Sequence, residues 1–197
     1  MILIGIAGGK RVGKSTLGQH LARRHRLLHT SFAEPIRAFV AGLLGGTLDD
    51  LEREKESPIA WLGGVTPRQM MQTLGTEWGR QMVHPDLWLL TALRRAYAAH
   101  GAVLSDVRFP NEAAAIRERG GFILRVDRPG FEPGADAHAS ERPLSMDLID
   151  AVVVNNGSVE DLVLSAEGVL AGFGMIAKAH DMFEQGIPAC MAVAGSD

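Results

Sequence analysis

The stretch that decides the fold is GIAGGKRVGKSTLGQHLA, Gly5 to Ala22. It takes up an apolar run, ILIGIA (residues 2–7), crosses a glycine-rich turn and resumes as a helical pattern from Lys14. A short apolar run ending in glycines predicts a buried parallel strand, and the pattern from Lys14 to about Arg26 predicts a helix. Arg23, Arg24 and Arg26 fall in its last turn, where the helix dipole favours cations. Between strand and helix, Gly8-x-x-x-x-Gly13-Lys14-Ser15 satisfies the P-loop pattern in full. Its glycines let successive backbone N–H groups turn inward on an anion, and the helix aims its N-terminus at the same point. Lys14 is expected on the β- and γ-phosphates of a nucleotide and the Ser15 hydroxyl on Mg²⁺. The expected nucleotide contacts are Gly8, Lys10, Val12, Gly13, Lys14, Ser15 and Thr16.

Outward from this loop, strands and helices alternate. LLHTSF (27–32) reads as a second strand, and EPIRAFVAGLL (34–44) as a helix entered through Pro35 and stopped by Gly45-Gly46. Gly46 to Val65 is charged and poorly patterned, a solvated helix face or a loop. In TPRQMMQTLGTEWGRQM (66–82), Thr66 and Gln69 form a capping box with Pro67 at the first helical position. Met70, Leu74, Trp78 and Met82 recur every four residues and predict the buried stripe, with Gln69, Gln72, Thr76 and Arg80 on another face. Gly75 and Gly79 weaken such a helix by roughly 1 kcal/mol each, which calls for a close approach by another helix or a ligand. Asp86 is expected to cap a helix ending at Gly101, and AVLSDV (102–107) is a third strand. Asn111 is expected to cap a short helix to Arg119. FILRV (122–126) and AVVVN (151–155) complete five strands, and Ser158 caps a helix to about Phe173. The fold class is therefore α/β, a five-stranded parallel sheet with helices on both faces. Asp127 to Leu144, rich in glycine, proline and charge, is read as a lid carrying Arg128 and Arg142, with His138 as a polar residue of the lid. Residues 1–174 form the catalytic domain, the acceptor region lies at about 34–100, and residues 175–197 form an extension of unassigned role.

Composition narrows the function. The chain has 197 residues, net charge −3 and 6% aromatics, which argues against a duplex-DNA field or a stacking platform for single strands. Cys190 is the sole cysteine, so no internal disulfide forms, as in a reducing cytoplasm. No apolar run is long enough to span a bilayer, and ILIGIAG lacks the charged lead of a signal peptide. A regulatory GTPase would need an Asn-Lys-x-Asp base reader, which this sequence lacks. Asp127-Arg-Pro-Gly130 is an ordinary turn pattern after the fourth strand. A small phosphotransferase fits best. It must hold two anionic substrates together, which predicts arginines converging from several segments. The candidates are Arg37, Arg68, Arg80, Arg108, Arg125, Arg128 and Arg142. Arg108 is the strongest, because it follows the third strand at the carboxyl end of the sheet, where ligands bind.

SDVRFPNEA (105–113), QTLGTEWGR (72–80), DLW (86–88), SFAEPIR (31–37) and HASE (138–141), behind the P-loop, resemble the phage deoxynucleoside monophosphate kinases. The resemblance runs from about Ile2 to Phe173. It implies a nucleoside monophosphate kinase-like fold, a need for Mg²⁺, a phage origin in host cytoplasm, and transfer of the ATP γ-phosphate to a deoxynucleoside 5′-monophosphate. On this reading the partners are ATP and the monophosphate, with no nucleic acid or membrane, and a homodimer stays open. Asp106 would hold Mg²⁺ through water, with Ser15. Arg108 would grip the acceptor phosphate or bridge to the transferred group. Arg37 would clamp the acceptor phosphate, and Glu34 would meet the sugar or base. Arg68, Gln72, Thr76 and Arg80 would line the acceptor pocket. Lys14, Asp106, Arg108, Arg128 and Arg142 form the expected catalytic set. Two other readings remain open: a P-loop kinase of another small phosphate acceptor, such as dephospho-coenzyme A, and a nucleotide-binding switch without turnover.

Overall fold

The structure is a computed structural model and describes residues 1–130 and 144–175. Arg142, His138, most of the 127–144 lid and the 175–197 extension beyond Met175 lie outside those residues. Five strands form one sheet: β1 (Ile2–Gly8), β2 (Leu28–Thr30), β3 (Gly101–Ser105), β4 (Phe122–Asp127) and β5 (Ala151–Val154), in the order β2-β3-β1-β4-β5. Every pairing is parallel, with Ile2 opposite Gly101, Ile4 opposite Phe122 and Leu124 opposite Ala151. The helices are α1 (Lys14–Arg24), α2 (Glu34–Leu43), α3 (Leu48–Glu54), α4 (Pro67–Thr73), α5 (Leu87–Ala98), α6 (Pro110–Arg117) and α7 (Val159–Gly172). A π-helix, Leu74–Val83, continues α4.

Alternation along β1 divides the core in two. Ile2, Ile4 and Ile6 pack with Leu17 and Leu21 of α1 and Leu162, Ala166 and Leu170 of α7. Leu3 and Ala7 point the other way, into Leu89, Ala92 and Leu93 of α5 and Ala113 and Ile116 of α6. Both faces of the strand are thus covered, as a parallel sheet requires. A satellite cluster joins Val40, Ala41 and Leu51 to Met70, Met71 and Leu74, and packs α2, α3 and α4 into a separate lobe.

Several local expectations change. The glycine stop of α2 holds: the Gly46 N–H donates to the Ala41 carbonyl (3.0 Å) and the Gly45 N–H to that of Gly42 (3.2 Å), a Schellman end. The unpatterned segment contains α3, started by a Thr47–Asp50 capping box. The stripe expected over 66–82 splits. Met70 and Leu74 join the satellite cluster, but Trp78 is 45% and Met82 77% exposed. The cause is the π-helix. Its wider turn rotates an every-fourth-residue pattern out of register with the core beyond Leu74. Buried in their place are Gly75 and Gly79. Trp88 of α5 lies so close that a Cβ on Gly79 would sit 2.6 Å from its ring, and Trp88 Nε1 donates to the Gly75 carbonyl at 2.8 Å. The glycines therefore answer to a helix. Asp86 precedes α5 without a side-chain cap, and Asn111 does not cap α6. Instead Asn111 Nδ2 donates to Asp86 Oδ1 at 3.0 Å, which ties the two helix starts together.

Candidate active site

The P-loop connects β1 to α1 over residues 8–13. Gly8 has φ +138°, and a Cβ there would collide with the Val126 carbonyl. Gly13 has φ +106°. Both positions therefore require glycine. The Val12 side chain is buried and anchors the loop in the core beneath α1 and α7. The α1 N-cap is Gly13, no side chain caps it, and the first turn holds no acid. Within its own first turn the positive end of α1 is therefore uncompensated, which suits an anion.

Lys14 leaves this helix start with its side chain 10% exposed. Its Nζ donates to the Gly9 carbonyl at 2.5 Å and lies 3.6 Å from Asp106 Oδ1. Burial pushes the Lys14 ammonium below its ordinary value. Asp106 opposes that shift, and repulsion from Arg108 adds to it. Asp106 follows β3 with φ +92°, a backbone strain rare for a non-glycine residue. The strain is held in place because the N–H groups of Asp106 and Val107 both donate to the Ile6 carbonyl, at 2.9 and 3.0 Å. Asp106 Oδ2 in turn takes Arg108 Nη2 at 2.7 Å. One carboxylate therefore joins the phosphate loop to the arginine at the end of β3.

Arg80, from the π-helix, arrives at the same strand end. Its guanidinium lies 4.6 Å over the Phe109 ring and 3.7 Å from Glu112 Oε1. Glu112 was missed in the sequence. It is buried at the start of α6 and accepts from the N–H groups of Arg108 and Phe109, at 2.9 and 3.1 Å. Burial raises its carboxyl above the usual range, against the pull of these N–H groups and of Arg80. Its spacing after Phe109, an acid at the third helical position, is the sequence cue that would have found it.

At the edge strand, Glu34 Oε2 accepts from the Thr30 hydroxyl and Oε1 from Arg95 Nη2, both at 2.7 Å. Burial opposes ionisation of Glu34, but hydrogen bonds from Thr30 and Arg95 overcome it and hold the carboxyl below its usual value. Arg37, one turn along α2, has a buried Nε with no hydrogen-bond partner, and Ser31 Oγ is in the same condition. Such atoms suit a ligand's oxygens. Arg68 is drawn to Glu56 at 2.5 Å, an exposed pair ahead of and within α4. Gln72 and Thr76 are exposed along α4 and the π-helix. Arg125 does not join the cluster. Its Nε is held by Asp127 Oδ1 at 2.7 Å within β4. Arg128, just past β4, is exposed.

The family model for deoxynucleotide monophosphate kinase matches residues 64–165, which include the π-helix, Asp106, Arg108 and Glu112. A protein of Acanthamoeba polyphaga mimivirus, named as a candidate deoxynucleotide monophosphate kinase, is 35% identical over 179 residues, covering 82% of this chain and 92% of its own. The chain belongs to the deoxynucleotide monophosphate kinase family. A second member, the deoxynucleoside-5′-monophosphate kinase of Escherichia phage T5, is 47% identical over 57 residues, 27% of this chain and 22% of that one. Among solved structures, shikimate kinase from Aquifex aeolicus is similar at 15% identity and TM-score 0.49, over 88% of this chain and 98% of that one.

In this family member no group of three or more His, Cys, Asp or Glu side chains is placed to hold a metal among the described residues. The exposed Ser15 hydroxyl and the Asp106 carboxylate are the oxygen donors that could hold Mg²⁺ here. That set fits an ion that takes most of its ligands from water and substrate phosphates. Among the described residues no helix is long and apolar enough to cross a membrane.

Proposed function

We propose that this protein transfers the γ-phosphoryl group of ATP to a deoxynucleoside 5′-monophosphate, giving the diphosphate and ADP. The observation that carries the reading is the chain Lys14–Asp106–Arg108, at 3.6 and 2.7 Å, which links the phosphate loop to the arginine at the end of β3. Two anions held on either side of it would meet end to end. An oxygen of the acceptor phosphate attacks the γ-phosphorus, and the bond to the β–γ bridging oxygen breaks. The attacking group is already ionised, so no general base is needed and catalysis rests on alignment and charge. The P-loop N–H groups and Lys14 hold the β- and γ-phosphates. Arg108 bridges acceptor and transferred group. Arg37 meets the acceptor phosphate through its unpartnered Nε, while Arg68, Gln72, Thr76 and Arg80 line the acceptor pocket. Glu34 fixes Arg95 and Thr30 at the acceptor side. Mg²⁺, held by Ser15 and through water by Asp106, would neutralise phosphate charge. Residues 1–174 act as one catalytic unit. The lone cysteine and the nucleotide substrates suit a cytoplasmic site, the host's if the chain is viral.

A coupled assay of ADP release tests this. ADP should form with ATP and Mg²⁺ only when a deoxynucleoside monophosphate is added. Release that requires dephospho-coenzyme A or another phosphate acceptor instead would replace the substrate. Binding of ATP with no acceptor-dependent release would leave a nucleotide switch.

A further inference from the structure

The phosphate loop is also held from the far edge of the sheet. Asn155 follows β5, and its backbone N–H donates to the Asp127 carbonyl at 2.7 Å, which prolongs the β4–β5 ladder and fixes its place. Its side-chain Nδ2 donates to the Val12 carbonyl at 2.8 Å, across a separation of 143 residues. The partner is a carbonyl, so only the NH₂ end of the amide can face it. The same nitrogen would lie 2.8 Å from a Cβ on Gly13, and Leu162 Cδ2 3.4 Å away, so the side chain is packed closely against the Val12–Gly13 peptide. The Val12 side chain is sunk in the core on one side of that peptide, and the α1 N-terminus begins on the other.

A trans peptide is planar, and its C=O and N–H point in opposite directions. None of the described peptides is cis. Holding the Val12 carbonyl against Asn155 therefore turns the Gly13 N–H to the opposite side, into the loop. Gly13, at φ +106°, belongs to the residue type least able to resist a peptide flip. We propose that Asn155 is a positioning residue of the phosphate cradle: by fixing the Val12 carbonyl it keeps the Gly13 N–H aimed at the donor's phosphates. This rests on the kinase reading only in taking the P-loop as the donor site. Aspartate, nearly the same size, would set a carboxylate oxygen against the carbonyl oxygen and release the peptide. When protonated, the same side chain would again donate.

The test uses the full chain and Mg·ADP, with affinity measured by calorimetry between pH 5 and 8. Asn155→Asp should bind ADP about tenfold more weakly than wild type at pH 8, the scale of one well-placed hydrogen bond. Its deficit relative to wild type should shrink as pH falls into the carboxylic range. Asn155→Ala should be weakened at every pH with no such recovery. In both, the acceptor KM should stay near the wild-type value. A purely structural role would produce neither the pH recovery nor the donor–acceptor split. In wild-type protein the Gly13 amide resonance should move strongly on ADP addition, a readout that does not depend on how the variants fold. Affinities within twofold of wild type in both folded variants, or an unmoved Gly13 amide in ADP-bound wild type, would overturn the proposal. Wild type that binds no ADP would overturn the donor-site assignment and this proposal with it. Wild type that binds ADP but shows no acceptor-dependent turnover would overturn only the kinase reading.

Discussion

On the proposed donor side, the groups offered to a phosphate come from consecutive residues, Gly8 to Thr16, with backbone N–H groups at an uncapped helix start among them. On the acceptor side, Arg37, Arg80 and Arg108 come from α2, the π-helix and the end of β3, and each is a long side chain with many rotamers. The difference lies in what fixes direction. A backbone donor is aimed by φ and ψ, which Gly8 and Gly13 set locally. A guanidinium is aimed by its partners, here Asp106 for Arg108 and Phe109 with Glu112 for Arg80. Damage to the donor side should therefore remove chemistry outright, and damage to the acceptor side should loosen alignment in steps.

The largest effect is expected at Lys14. Lys14→Ala should lower turnover by roughly 10²–10³, the scale of losing one preorganised charge on the transferring group. The fold should stay intact, since the ammonium is aimed at a ligand and the substitution leaves Gly13 and both core clusters unchanged. Turnover within a few-fold of wild type would break the comparison at its donor end. The same residue gives a pH test. Its folded pKa is depressed by burial, so between that value and the ordinary lysine value of 10.5 the unfolded chain binds the proton more readily. The charged lysine therefore costs stability at neutral pH, and that cost fades as pH rises through this window. Denaturant melts of Lys14→Met should show a more stable protein than wild type at pH 7, with the gap closing towards pH 10.

Next comes Arg108. Its replacement by alanine should cost roughly 1.5–3 kcal/mol of transition-state stabilisation, the worth of a hydrogen bond to a charged group. ATP affinity should stay unchanged. Lysine should rescue poorly, because it cannot hold Asp106 and a phosphate with one planar fork. A fully active Arg108→Lys would show that charge alone suffices there.

Gly79→Ala sharpens the comparison from the packing side. The added methyl meets the Trp88 ring at 2.6 Å. Overpacking of this kind costs roughly 1–3 kcal/mol, and relief requires the π-helix to shift. Urea unfolding should show the loss. The acceptor KM should rise while ATP affinity holds, because the π-helix carries Thr76 and Arg80 but no part of the phosphate loop.

The smallest effect is expected from Glu112→Gln. The amide oxygen still accepts from the Arg108 and Phe109 N–H groups, but the charge facing Arg80 is gone. A few-fold rise in acceptor KM should follow. The Glu112 carboxyl is raised above 4.5 in the folded state, so its ionisation opposes folding as pH climbs through that raised value. The stability of the variant relative to wild type should therefore increase with pH across this window. A flat difference would mean that Glu112 is solvated in solution.

Much of the fold was legible because its cues are local. β1, the P-loop and α1 are written in one stretch, and the capping box at Thr66 and the cap at Ser158 stand where the sequence put them. The catalytic candidates just past β3 were legible for the same reason: Asp106 and Arg108 come straight after an apolar run. The stripe through Trp78 and Met82 misled, because periodicity assumes a constant turn and the π-helix changes it. Nothing in the sequence marks that change except Gly75 and Gly79, whose reason is a tryptophan on the next helix.

By itself, then, the sequence determined that this chain has a parallel α/β sheet and a glycine-built anion cradle, since both depend on short-range pattern and backbone freedom. Only the tertiary structure decided which charges meet. Asp106 serves Lys14 and Arg108 at once, Glu112 stands behind Arg80, and Asn155 reaches Val12 from the opposite edge of the sheet. All of these contacts but Asp106–Arg108 join residues far apart in the chain, and the direction of a long polar side chain is set by what surrounds it after the core has packed.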